Sequence, residues 1–144
     1  MKPPEIHPET VQRLSASADI RPWLDEMHSM TGPRSRPETC RLFIAIMHGL
    51  RAQLTAEDAA SLARDLPPIV RDIFDEDRPS AVDNSVMDIG SYVTAACPWL
   101  APGQAERAIW SAFTLLSHHV DPDVIRRVRD RLPPDTRAMW NTAA

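Results

Sequence analysis

Residues 41–74 read RLFIAIMHGLRAQLTAEDAASLARDLPPIVRDIF, and residues 107–140 read RAIWSAFTLLSHHVDPDVIRRVRDRLPPDTRAMW. Laid one on the other without a gap, Arg41 falls on Arg107, Leu50 on Leu116, Leu66-Pro67-Pro68 on Leu132-Pro133-Pro134 and Arg71 on Arg137. In each stretch the apolar residues recur at i, i+3, i+4, i+7 and i+11: Phe43, Ile46, Met47, Leu50 and Leu54, then Ile109, Ala112, Phe113, Leu116 and Val120. That spacing is one face of an α-helix. The same register continues upstream, where Ile20, Trp23 and Met27 fall on Val86, Ile89 and Val93. Two amphipathic helices match readily in their apolar positions. They do not by chance also share a Leu-Pro-Pro breaker and two arginines, so the chain reads as a duplication of residues 19–74 and 85–140.

Working outward, residues 1–18 read as a proline-bearing tail with a short helix, carrying Val11 and Leu14, that has no assigned place in the fold. Asp19 offers an N-cap for the first helix of the first repeat, and Thr31-Gly32-Pro33 stops that helix. Ser35-Arg36-Pro37-Glu38 is a capping-box pattern that starts the long helix, and Thr55 recaps the chain after Leu54. Pro67 ends the third helix and Pro68 suits the first turn of a fourth. The second repeat uses the same devices: Asp83 or Asn84 as a cap, Pro98, Pro102 and Gly103 at the turn, and Asp121-Pro122 as cap and first-turn proline. Residues 75–84, DEDRPSAVDN, read as a surface linker. Alternating β-branched runs with tight hairpin turns do not occur. The expected fold is all-α, a helical bundle of two pseudo-symmetric repeats in which the Phe43 and Ile109 stripes share one core, with residues 19–140 as one compact domain.

Composition narrows the function classes. A chain of 144 residues buries roughly 70% of its unfolded surface, enough for a real core. The 43% hydrophobic and 25% charged residues are ordinary values for a soluble protein, and the longest apolar run, residues 42–47, is too short to span a bilayer. The start, MKPPEIHPET, carries neither a secretory signal nor a lipidation motif, so the expected location is the cytoplasm, without membrane association. A net charge of -4 disfavours nucleic acid as a partner. Cys40 and Cys97 stand at non-equivalent places in the repeat, which argues against a duplicated disulfide or metal framework.

The order of a long amphipathic helix, a short helix ending in Leu-Pro, and a short aliphatic and aromatic helix, all duplicated over roughly residues 19–140, resembles the DUF2267 family of bacterial helical proteins. The resemblance implies a fold and an accessory role and carries no reaction. Some members of that family are joined to ligand-sensing modules such as CBS domains. The first copy there closes with an aromatic, glycine and tryptophan segment, whereas this chain has Phe74-Asp75-Glu76-Asp77-Arg78-Pro79.

Catalytic patterns are thin. With 4 glycines, the chain has no phosphate-cradling loop and no nucleophile elbow. His118 and His119 are adjacent on a helix, about 100° apart, and therefore poor partners for one metal ion. His28 and His48 lack ligands at metal spacing, so no metal and no cofactor is expected. The arginines at 126, 127, 129 and 131 are interleaved with aspartates, as on a solvated, ion-paired face. Trp23, Trp110 and Trp140 fall at or beside core positions and read as core anchors. Trp99 stands between Pro98 and Leu100 in a turn, either covering the end of the core or presenting an anchor to a partner.

Arg71 and Arg137 follow Leu-Pro-Pro at the same distance, so the fold uses them equivalently, as structural ties or as ligands for an anion or a partner. The expected function is non-catalytic: a binding or adaptor module acting through protein–protein contacts or self-association, with Arg71, Arg137 and Trp99 as candidate contacts. The alternative is a small-molecule sensor holding an apolar or anionic ligand between the repeats. An enzyme using histidine or Cys40 is the weakest reading.

Overall fold

The structure, a computed structural model, describes residues 6–32, 34–75, 88–101 and 103–143. Among these residues the chain is all-α: α1 (Pro8–Ala16), α2 (Arg21–Thr31), α3 (Arg36–Gln53), α4 (Ala56–Ala63), α5 (Pro68–Asp75), α6 (Ile89–Ala96), α7 (Gln104–His119), α8 (Pro122–Asp130) and α9 (Pro134–Ala143). Past Asp75, the expected linker and the caps sought at Asp83 and Asn84 lie outside the described residues.

Local chemistry sets the helix ends. Ser35 caps α3 by a full capping box: its Oγ accepts from the Glu38 N–H at 3.2 Å, and its own N–H donates to Glu38 Oε1 at 3.0 Å. Those bonds hold the Glu38 carboxyl below its usual pKa. Thr55 caps α4 and Asp121 caps α8, as their positions predict. Two starts differ from the expectation. Helix α2 opens at Arg21 behind Ile20, not behind Asp19; Pro22 suits the first turn, where no amide donor is needed, and Ile20 is fully buried. Helix α6 is capped by Asp88, whose Oδ1 accepts from the Ser91 N–H at 2.7 Å. Gly32 and Gly103, at φ 93° and 88°, allow the chain to turn into α3 and α7.

The helices pack in an exchanged pattern. The long helix α3 lies most extensively against α6, and the other long helix, α7, lies most extensively against α2, so each long helix takes the first helix of the opposite half. The exchange is tied by hydrogen bonds in both directions. Arg41 Nε donates to the Ala96 carbonyl at 2.8 Å, and Arg107 Nε donates to the Met30 carbonyl at 3.1 Å, so α3 grips the end of α6 while α7 grips the end of α2. Both donors and both acceptors stand 66 residues apart. Helices α4 and α8 also touch, and α5 and α9 return to α3 and α7. One continuous buried cluster results, holding Phe43, Ile46 and Leu50 together with Ile109, Phe113 and Leu116.

Helix α1 packs on α3 and α5, with Val11 and Leu14 facing inward. It leaves α3 buried almost all round, since Thr39, Cys40 and every residue from 42 to 50 are buried. In α7 only one face is buried.

Where α3 meets α6, Gly49 makes the contact. A Cβ on Gly49 would lie 3.1 Å from Ile89 Cα and 3.3 Å from Tyr92 Cβ. The first of these neighbours is backbone and cannot swing aside. Gly49→Ala therefore sets a helix-propensity gain of at most about 1 kcal/mol against an overpacking cost of roughly 1–3 kcal/mol. The expected outcome is a net loss of about 1 kcal/mol in urea unfolding; a stabilised variant would show that α6 moves away freely.

Candidate functional site

The candidate residues are held by the ends of short helices. Arg71, at the start of α5, donates from Nε to the Ala63 carbonyl at 3.0 Å and from Nη2 to the Leu66 carbonyl at 3.3 Å. Arg137, at the start of α9, donates from Nη2 to the carbonyls of Asp130 and Leu132 at 3.0 and 3.1 Å. Each guanidinium thus ties the last residue of α4 or α8, Ala63 or Asp130, to the Leu-Pro-Pro turn that follows, at Leu66 or Leu132. The Leu-Pro-Pro turn makes this geometry, because it folds the next helix back under the last turn of the one before.

Arg71 also lines an open cleft of about 370 Å³ with Arg51 and Arg64, floored by Ala56, Ala59, Ala60 and Ala63. Three guanidinium groups over small side chains form a cationic concavity of a kind that receives carboxylate or phosphate. All of its lining belongs to the first half. So does that of a larger, mainly apolar cleft of about 490 Å³ between α1 and α3, where Val11, Ser15 and Ala16 face Pro37 and Arg41. A third, of about 120 Å³, lies between α2 and the start of α3.

Trp99 stands in the turn after α6, 40% exposed, with the Arg34 guanidinium 5.2 Å over its ring. The turn before α3 thereby touches the turn before α7 through a cation–π contact. Arg71, Arg137 and Trp99 occupy separate places: under α4, under α8 and between the two interhelical turns.

Trp110 is 36% exposed, contrary to the expectation of a core anchor. Its counterpart 66 residues earlier, Ile44, is completely buried in α3. The remaining anchors behave as expected. Trp23 is buried against Phe43 edge-on, and Trp140 stacks on Phe113 at 4.3 Å while its Nε1–H donates to Ser117 Oγ at 3.0 Å. A fully buried indole requires that partner for its N–H.

The histidines are brought to a partner that their sequence positions do not suggest. His118 Nδ1 lies 2.6 Å from Glu26 Oε2 and His119 Nε2 lies 3.1 Å from Glu26 Oε1, so one carboxylate on α2 bridges both rings at the end of α7. The His119 ring also stacks on Trp23 at 4.6 Å. Divergence on the helix did not prevent a shared partner, because a carboxylate has two oxygens. Glu26 precedes His118 by more than ninety residues, and only the exchange of α2 onto α7 joins them. Among the described residues no group of three or more His, Cys, Asp or Glu side chains is arranged to hold a metal ion. None of their helices is long and apolar enough to cross a membrane.

Cys40 and Cys97 are both buried as free thiols. Burial pushes each up to about 11, against the opposing influence of Arg36 and a Ser15 hydrogen bond at Cys40 and of Arg41 and Arg34 at Cys97. A thiol held neutral and out of solvent is a poor nucleophile.

The sequence pattern of the family described as "Uncharacterized conserved protein (DUF2267)" matches residues 20–139. The chain belongs to the DUF2267 family. The match runs from the residue that caps α2 to the last full turn of α9, so it takes in both halves and omits α1. No curated protein matches the chain.

The raised thiols set an alkaline limit. The unfolded chain ionises its cysteines from about the ordinary thiol value of 9.0, whereas the folded chain holds the protons to about 11, so this contribution is complete below pH 9 and is lost as pH rises through 11. Urea midpoints at pH 8, 9.5 and 11 should fall more steeply for the native chain than for the Cys40→Ala/Cys97→Ala variant. Equal slopes would mean that the thiols are solvated.

Proposed function

We propose that this DUF2267 chain consists of two pseudo-symmetric helical copies joined in one core, and that it is a non-catalytic module binding another protein through the outer face of α7 and α9. The observation that carries this reading is Trp110. A tryptophan more than a third exposed on a regular helix, where Ile44 at the position 66 residues earlier is fully buried, presents a large apolar surface, and tryptophan is enriched among interface anchors. Met139 on α9 is only partly buried and packs at the edge of the core, which extends the apolar area. Trp99, with its ring partly open beside Arg34, is a second candidate anchor, in the turn that precedes α7. Two neutral buried thiols and two histidines already committed to one carboxylate weigh against an enzyme. On this reading the protein works in the cytoplasm of a bacterial cell.

The Arg51–Arg64–Arg71 cleft favours a second reading, a sensor of an anionic ligand. It ranks lower, since Arg71 already spends Nε and Nη2 on carbonyls and the cleft is built from one half. Arg71 and Arg137 are on this account structural ties first.

The test is photocrosslinking in cells with benzoylphenylalanine in place of Thr114, one turn along α7 from Trp110. A discrete protein adduct is expected, absent when the same probe replaces the exposed Arg64 and lost on Trp110→Ala. Equal labelling at both positions would refute the module reading.

A further inference from the structure

The cleft of about 490 Å³ between α1 and the start of α3 has one apolar wall and one charged end. Along α1, Pro8, Gln12 and Ala16 recur at i, i+4 and i+8, with Val11 and Ser15 beside them, so a single stripe of that helix makes one wall. Pro37, Glu38 and Arg41 make the other. Ser15 and Ala16 are short side chains, which leave the gap between the helices open. Pro37, in the first turn of α3, adds apolar surface and carries no amide donor. A concavity of this size, mainly apolar with a few polar groups, is the common form of a small-molecule site.

The charges at the α3 wall decide what kind of molecule it takes. Arg41 is half-buried, and its Nε is held by the Ala96 carbonyl at 2.8 Å. Among the described residues no carboxylate pairs with its guanidinium. Glu38 also lines the cleft, but its Oε1 accepts the Ser35 N–H at 3.0 Å in the capping box, and the Arg34 charge lies close enough to offset its own. The unmet charge at this wall is therefore positive.

We propose that the α1–α3 cleft binds a small aliphatic carboxylate, with its chain along Pro8, Val11, Ala16 and Pro37 and its carboxylate on the Arg41 guanidinium. The bond from Arg41 Nε to the end of α6 positions the cation in advance, which lowers the ordering cost of binding. One wall of the site is α1, outside the residues that the family pattern matches, so the site is a property of this chain and not of that pattern.

The probe is sodium octanoate, titrated into the full-length protein while methyl resonances and the Arg41 Nε–H are followed by NMR. Saturable movement of Val11, Ala16 and Arg41 is expected, with half-saturation at or below about 1 mM for a ligand of this size, and with the buried Val93 and Ile125 methyls unmoved. Octanoate should bind roughly three- to fivefold more tightly than 1-octanol, the ratio that a half-exposed ion pair supplies, and octylammonium should bind weakest. Two substitutions at exposed positions of α1 separate the chain from the charge. Ala16→Phe should fill the cleft and remove binding of both octanoate and octanol. Gln12→Glu should weaken octanoate roughly two- to fivefold and leave octanol unchanged.

Four results would overturn the inference. They are no saturation by roughly 10 mM octanoate, which would also follow if the chain itself fills the cleft, octylammonium binding as tightly as octanoate, which would give the polar end to Glu38, unchanged binding in Ala16→Phe, and equal movement of the Val93 and Ile125 methyls. Trp110 does not line this cleft, so the crosslink at Thr114 and the octanoate titration are decided separately.

Discussion

The arrangement depends on a constraint at the long helices: each packs its greatest length against the first helix of the other half. Neither α3 nor α7 buries its apolar face within its own half alone, because α6 and α2 complete it from across the molecule. Gly49 permits the approach on one side by having no side chain to obstruct Ile89 and Tyr92. Arg41 and Arg107 then bond carbonyls at the ends of the exchanged helices, which would otherwise lack partners. Glu26 with His118 and His119, and Arg34 with Trp99, are further ties that exist only because of the exchange.

Much of this was legible in the residues, for reasons that are local. A capping box at Ser35, a threonine cap at Thr55 and an aspartate cap at Asp121 depend on side chains within three residues of the groups they satisfy, so their spelling is enough. The periodic apolar positions marked the long helices, and the repeated Leu-Pro-Pro marked the turns that place Arg71 and Arg137 against carbonyls. The exchange itself was not legible. Periodicity says that a helix has a buried face and leaves open which helix covers it, so the Glu26 partnership had no signal in the sequence. Trp110 was misread for a related reason. Its register stands beside the core positions, and periodicity does not say whether a neighbouring helix covers a flanking position: Ile44 is fully buried, whereas Trp110 is 36% exposed.

The exposure of Trp110 is the observation on which the proposed function rests. Helix α1 packs on α3 and α5 and completes the burial of α3. The family match covers residues 20–139, so α1 lies outside the matched region and α7 within it. Two buried free thiols and two histidines already held by one carboxylate direct attention to surfaces and away from chemistry. On this account the arginines that repeat most faithfully hold helices together, and the tryptophan that departs from its counterpart does the binding.

The measurement that tests the central claim most directly is equilibrium urea unfolding followed separately at the indole N–H of Trp23, in the first half, and Trp140, in the second. Exchanged helices make the halves one cooperative unit, so both probes should lose their native signal at the same midpoint and with the same slope. Two resolved transitions would mean that each half holds itself together, and would contradict the exchange as the basis of the fold.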